Sequence, residues 1–246
     1  MKFKYFFTGF LILFFIHPAY GLTGYEIMKK SDALPKPDTT KSKVIMRIHK
    51  GKFFEEKAFT LLMKKYPNDE DKAIISFSRP TKIKLLTHSH KGREDDQWLR
   101  LSSGRIKRIA SSSKGKPFVN SHFYYEDLSS FDIDDYDFKL LGEGTAVNVP
   151  CYKVKGVKKI GKKVYNYVVF YVRKSDFFVV RIDFYRHGKF LKFLENYDVK
   201  KVDGILTPFR VSMKLANGKG RTDLFLVGLK YNAHIPDYRF RKEALR

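Results

Sequence analysis

His88 and His90 stand two residues apart in an alternating run, with Glu94, Asp95 and Asp96 soon after, and imidazoles and carboxylates sharing one strand face are the donors of a zinc site. Lys91 and Arg93 lie between the two groups and no third ligand has a defined spacing, so no metal is expected. The acid pairs Asp95-Asp96, Glu126-Asp127 and Asp134-Asp135 are the side chains of glycosidic chemistry. Neighbours on a strand point to opposite faces, however, and among 49 basic residues such acids are expected in salt bridges. Cys151, the one cysteine, follows Pro150 with no placed His partner and reads as a small buried hydrophobe. Trp98 precedes Arg105-Ile106-Lys107-Arg108-Ile109, a mixture of ring and charge that suits single-stranded nucleic acid, a lipid surface or plain core packing. A serine-hydrolase elbow, a phosphate-cradling glycine loop, a metalloprotease helix and a CxxC pair are all missing from the sequence. The expectation is a protein that is not an enzyme and uses no cofactor.

The elements that carry these residues are mainly strands. Thr23-Gly24-Tyr25-Glu26 has capping-box spacing and predicts a short helix over 24–33, stopped by Pro35 and Pro37. Val44, Met46 and Ile48 then alternate with Arg47 and His49, and Phe59, Leu61 and Met63 repeat the pattern after Lys50-Gly51. Further strands are predicted at 147–157, 163–173, 178–186, 189–199, 205–216 and 220–231, separated by signals such as His187-Gly188, Asp203-Gly204 and Asn217-Gly218. Links this short force antiparallel neighbours, since a parallel return needs a crossover of about a dozen residues. With four to six strands between Lys41 and Ala110, a sheet of ten to twelve strands curls into a barrel or part of one. In the last strand Leu224 and Leu226 are assigned to one face, and Phe225, Val227, Leu229 and Tyr231 to the other. The segment Ser111 to Asp137 lacks alternation and reads as a lid or a structural crossover, with a turn or two of helix capped by Ser121.

Lys2, Lys4, the apolar run Phe6 to Ile16 and Ala19-Tyr20-Gly21 together have the form of a cleaved export signal, too short to span a bilayer. Leu22-Thr23-Gly24 follows where a lipoprotein would carry its cysteine, so a soluble periplasmic chain from 22 to 246 is expected, as a single domain. A formal charge of +23 would point to nucleic acid inside a cell. In an exported protein it points instead to transient contact with an anionic membrane surface, or to a merely solvated basic one.

Asp95-Asp96-Gln97-Trp98-Leu99, Arg105-Ile106-Lys107-Arg108-Ile109, Tyr125-Glu126-Asp127-Leu128, Asp134-Asp135-Tyr136, Leu140-Leu141-Gly142-Glu143, Pro150-Cys151-Tyr152, Asp203-Gly204-Ile205 and Thr207-Pro208 occur in an order that resembles the outer-membrane lipoprotein-sorting-like family, relatives of the periplasmic carrier of the Lol system. The resemblance implies an incomplete antiparallel β-barrel of about eleven strands, covered by short helices and holding acyl chains. It further implies lipid or lipoprotein cargo and an inner-membrane exporter of the resistance-nodulation-division type as partner. On strand alternation Val180, Ile182 and Phe184, with Phe209, Val211 and Met213, are expected to line the interior. Trp98, Phe123 and Tyr124 complete the expected lipid-binding set. The alternative is a non-transporting adaptor of an envelope complex, its barrel filled by its own side chains.

Overall fold

The computed structural model describes residues 21–67, 70–161 and 163–246, so the expected export signal, apart from Gly21, lies outside the described residues. Helix α1 (Gly24–Asp32) begins with the capping box: Glu26 N–H donates to Thr23 Oγ1 at 3.2 Å and Thr23 N–H to the Glu26 carboxylate at 2.8 Å. Ile27 and Met28 are its buried side. Gly24 is required where α1 meets the sheet, because a Cβ there would lie 2.7 Å from the Leu140 backbone nitrogen.

The strands are β1 (Thr39–Lys50), β2 (Phe53–Lys64), β3 (Lys72–Arg79), β4 (Lys84–His88), β5 (Asp96–Arg100), β6 (Ile106–Arg108), β7 (Tyr136–Ala146), β8 (Val149–Lys158), β9 (Tyr167–Arg173), β10 (Val179–Arg186), β11 (Lys189–Val202), β12 (Ile205–Leu215) and β13 (Arg221–Tyr231). They form one antiparallel sheet in the order β6-β5-β4-β3-β2-β1-β13-β12-β11-β10-β9-β8-β7. The ends β6 and β7 do not pair, so this is the expected open barrel, with thirteen strands rather than about eleven. The pieces β4 to β6 are too short for alternation to reveal each one. The chain starts at the middle of the sheet, runs outward to β6, crosses over the inner face through residues 109–135, and returns from β7 until β13 pairs with β1.

The connections divide between the two ends of the sheet. Those at 51–52, 80–83, 101–105, 159–166, 187–188 and 216–220 share one rim, as the pairings His49↔Arg221, Ser76↔Lys84, Arg100↔Ile106, Gly156↔Val168, Arg186↔Lys189 and Lys192↔Leu215 require. Residues 33–38, 65–67, 70–71, 89–95, 147–148, 174–178, 203–204 and 232–236 occupy the other rim.

Two of the register shifts in the sheet reverse faces that alternation assigns from sequence. On β13 the register slips opposite Lys43 and Val44, whose partners are Gly228 and Leu226, so Val227 is an extra residue. Leu229 and Tyr231 are thereby turned onto the face of Leu224 and Leu226, opposite to the alternation expected from sequence; Val227 is exposed. On β10 a slip between Val179 and Arg181 sends Val180 outward to pack with Ala146 and Cys151, while Ile182 and Phe184 stay inside. Residues 121–128 carry only a single 3-10 turn, Glu126–Leu128, and Ser121 Oγ accepts from Phe123 N–H instead of capping a helix.

Two apolar cores fill the inner face. One joins Val44, Met46, Ile48, Phe59, Phe77, Leu85 and Leu99 to Phe118 and Tyr125 of the crossover. The other joins Ile27 and Met28 to Phe123, Val154, Phe170, Phe184 and Met213. Each fully buried side chain of this kind contributes roughly 1.5–3 kcal/mol. A third cluster lies on the outer face, where Ile235, Phe240 and Leu245 of the C-terminal segment cover Leu62, Leu86 and Trp98.

Candidate binding cavity

Between the two cores lies a chamber of about 250 Å³. Val44, Met46, Phe59, Leu61 and Ile75 form one wall, and Leu224, Leu226, Leu229 and Tyr231 the floor. Pro208, Phe209 and Val211 form the second wall, and Phe118, Phe123 and Leu128 of the crossover the roof. Its polar lining is Thr40, Ser42 and the Tyr231 phenol, which shares a 2.7 Å hydrogen bond with Thr207 Oγ1. No carboxylate, imidazole, ammonium or thiol is among these residues. The chamber shares Thr40, Leu61, Pro208 and Tyr231 with a wider one of about 600 Å³ that reaches Leu34, Pro35, Met63, Phe178 and Leu206 at the rim beside the end of α1. Taken together they fall within the size range of small-molecule sites, about 300–1,000 Å³.

A buried ion pair fastens the roof. Lys192, with 0 % of its side chain exposed, donates to Asp127 Oδ2 at 2.6 Å and to the His122 carbonyl at 2.9 Å. Asp127 also accepts from Tyr124 N–H at 2.7 Å and from the Tyr165 hydroxyl at 2.5 Å. Burial holds the Lys192 ammonium below its ordinary pKa, with Asp127 opposing the shift, and pushes the Tyr165 phenol well up. Secondary ties are Gln97 Nε2 to the Tyr125 carbonyl at 3.1 Å, Ser130 N–H to Asp95 at 2.6 Å, Lys158 to Glu126 at 2.9 Å and His122 N–H to Thr222 Oγ1 at 3.1 Å. Two of the acid pairs are thus split between separate anchors: Glu126 binds Lys158 and Asp127 binds Lys192, while Asp95 holds Ser130 and Asp96 meets Arg108 and His90.

Of the nine residues expected to bind lipid, Phe123, Phe209 and Val211 line the chamber. Phe184 and Met213 lie in the adjoining core, and Ile182 packs against it. Tyr124 stacks with Tyr165 and caps the Lys192 ammonium, 3.4 Å from its ring centroid. Val180 is turned away by the β10 bulge. Trp98 faces outward beneath Lys242, edge-on to His88. His88 bonds to the Phe240 carbonyl at 2.7 Å and His90 to Asp96 at 3.0 Å, so the two imidazoles serve different partners. Cys151 is wholly buried, and burial raises its thiol pKa. The lining from β1, β2 and β13 was missing from the expected set, although the Val44-Met46 and Phe59-Leu61 alternation carried that signal.

An open antiparallel barrel, roofed by a long crossover over an apolar chamber, is a fold of the LolA kind. Residues 69–246 match a family model described as "Uncharacterized protein", and the chain belongs to that family, its fold being that of the outer-membrane lipoprotein-sorting-like proteins it resembles in sequence. A DUF1329 family protein from Desulfovibrio piger is similar with a TM-score of 0.85 and 26% identity, covering 91% of this chain and 98% of that one. A Vibrio parahaemolyticus domain, proposed to be an outer membrane lipoprotein-sorting protein, has a TM-score of 0.84 and 27% identity, covering 90% and 97%. A LolA superfamily protein from Nitrosomonas europaea, at 21% identity and a TM-score of 0.72, covers 91% and 100% and shares the fold. No curated protein matches the chain.

Proposed function

We propose that this protein is a periplasmic carrier that holds lipid or lipoprotein acyl chains under the crossover and moves them between membranes, or serves an exporter of the resistance-nodulation-division type. The observation that carries this reading is the chamber: largely apolar, with only Thr40, Ser42 and the Tyr231 phenol as polar lining, without a chemical group suited to catalysis, and continuous with a wider opening. Each buried CH₂ stabilises a bound chain by roughly 0.8 kcal/mol, so burial alone is enough to retain cargo. The likeness to the Vibrio lipoprotein-sorting domain supports the same reading. In place of the expected set, the proposed contacts are Phe123, Phe209 and Val211 with Val44, Phe59, Leu224, Leu226 and Leu229. The adaptor reading draws on the half of the barrel beside α1, which Met28, Phe184 and Met213 fill with the protein's own side chains.

Native mass spectrometry after gentle isolation tests the proposal. The parent is expected to carry lipid, and Leu226→Trp, which fills the chamber, is expected to lose it while costing only about 1–3 kcal/mol of stability. A parent that never carries lipid, or a Leu226→Trp variant that carries as much, refutes the carrier reading.

A further inference from the structure

The two rims of the sheet differ in charge more sharply than composition explains. On the rim formed by 51–52, 80–83, 101–105, 187–188 and 216–220, the connections hold Lys52, Lys82, Arg105 and Lys219 and no Asp or Glu, while the longer connection after β8 carries Lys159 and Lys163 beside the acids Asp132, Asp134, Asp135 and Asp137 at and just before the start of β7 and packs Gly161 against Glu94. Strand ends add Lys50, Arg79, Lys189 and Arg221, all exposed. The opposite rim, where the cavity opens, mixes Asp38, Glu70, Asp71, Glu94, Asp95, Asp176 and Asp203 with Lys36, Lys65, Lys91, Arg93 and Lys174. The fold therefore gathers at one end a basic excess that is scattered along the sequence.

Charge is only half of the pattern. Phe53 and Phe54, the first two residues of β2 at the tip of the β1–β2 hairpin, are 81% and 52% exposed, and Phe190 beside Lys189 is 37% exposed. Phe53 is the most exposed large apolar residue described, and it stands next to lysine rather than over a pocket of its own. Lys52, Lys82, Arg105, Lys163, Lys189 and Lys219 have no acidic partner within salt-bridge distance among the described residues. Cations without partners, ringed around protruding aromatics, match a surface that is anionic in its outer layer and apolar just beneath.

We infer that this rim docks on an anionic phospholipid bilayer, with Phe53, Phe54 and Phe190 entering the interface and the lysines and arginines facing headgroup phosphates. A duplex polynucleotide would satisfy the charge but would leave Phe53 without an apolar layer to enter, and a single strand, whose bases stack on exposed rings, is the competing occupant that the test below separates. Docking by this rim turns the cavity opening at the other rim away from the bilayer that holds the protein, toward whatever partner or membrane lies across from it. The inference is independent of what the cavity holds.

The test is partition of the purified protein onto vesicles containing phosphatidylglycerol, against vesicles of phosphatidylcholine alone. The parent is expected to bind the anionic vesicles and to be released by salt, since screening shortens to about 8 Å at physiological ionic strength. Charge reversal at Lys52, Lys82 and Lys219 together is expected to weaken partition by about tenfold or more. The same change at Lys36, Lys65 and Lys174 on the other rim should alter it by less than about twofold. All six side chains lie outside the cores, so thermal melts of both triple variants should match the parent. Replacing Phe53 and Phe54 by Ser should reduce vesicle binding while leaving retention on heparin unchanged, which separates a bilayer site from a general polyanion site. Three results would overturn the inference: a parent that ignores anionic vesicles, equal losses from the two rims, or vesicle binding that does not depend on the phenylalanines while an oligonucleotide competes for it.

Discussion

Replacing Asp127 by Asn leaves the Lys192 ammonium buried beside a neutral amide. Lys192 has no exposed side-chain surface, and its one charged partner lies 2.6 Å away, so the variant retains a desolvated cation supported by only the His122 carbonyl at 2.9 Å and nearby rings. Breaking a buried pair from one side typically costs about 3–5 kcal/mol. For a domain of this size that is a fall in Tm of about 6–20 °C. The double variant Asp127→Leu, Lys192→Met removes both charges and should recover part of the loss, because an apolar pair of similar volume replaces an ion pair at little cost while the Tyr165 hydroxyl and Tyr124 N–H lose their acceptor. A pH signature accompanies the single variant. The folded-state pKa of Lys192 is already lowered by burial, so between that value and the unfolded value of about 10.4 the unfolded chain binds more protons, and stability rises with pH. The deficit of Asp127→Asn should therefore shrink in alkali. Circular-dichroism melts across pH measure both effects. A single variant within about 1 kcal/mol of the parent, or a double variant as damaged as the single one, would show that the pair does not hold the crossover in place.

Met213, wholly buried in the core beside α1, should not tolerate charge: Met213→Glu is expected to lower stability by several kcal/mol and to abolish the cooperative melt. A variant that still melted cooperatively near the parent's temperature would reveal unrecognised space there. Burial lifts the Tyr136 phenol to about 12, above its unfolded value of about 10. Its contribution is then complete below about pH 10 and lost as pH rises through 12, about 2–3 kcal/mol in all. Urea titrations at increasing pH should show Tyr136→Phe losing less stability in alkali than the parent, and equal losses would contradict the assignment.

The strands that alternate cleanly were legible from sequence, and so was the capping box at Thr23 and Glu26, because each rests on contacts a few residues apart. The meander from Val149 to Tyr231 agrees with its predicted runs to within a few residues at most ends, since Asp203-Gly204 and Asn217-Gly218 state their turns locally. Which face each residue took was legible only up to the first bulge. Val180 and Leu229 were assigned by counting twos, and one inserted residue in β10 and another in β13 reverses the count beyond it. Trp98 was misplaced for a different reason: its cover comes from Phe240 and Leu245, more than a hundred residues away. The Lys192–Asp127 pair was likewise invisible, for a lysine on a strand and an acid in a loop carry no shared spacing until the crossover lies down on β11.

The pairing of β1 with β13 gives the sheet a seam at its centre, where residues 39–50 meet 221–231. A chain that folds as it emerges can assemble β1 to β6 early, but β1 then waits with an unpaired edge until the last strand arrives. Contacts of such long sequence separation form slowly. During that interval the molecule is two half-sheets with bare edges at β1 and β12, each able to recruit a strand from another copy. The maturation of this protein is therefore governed by its last strand, and truncation before Arg221 should yield aggregates in place of a smaller folded domain.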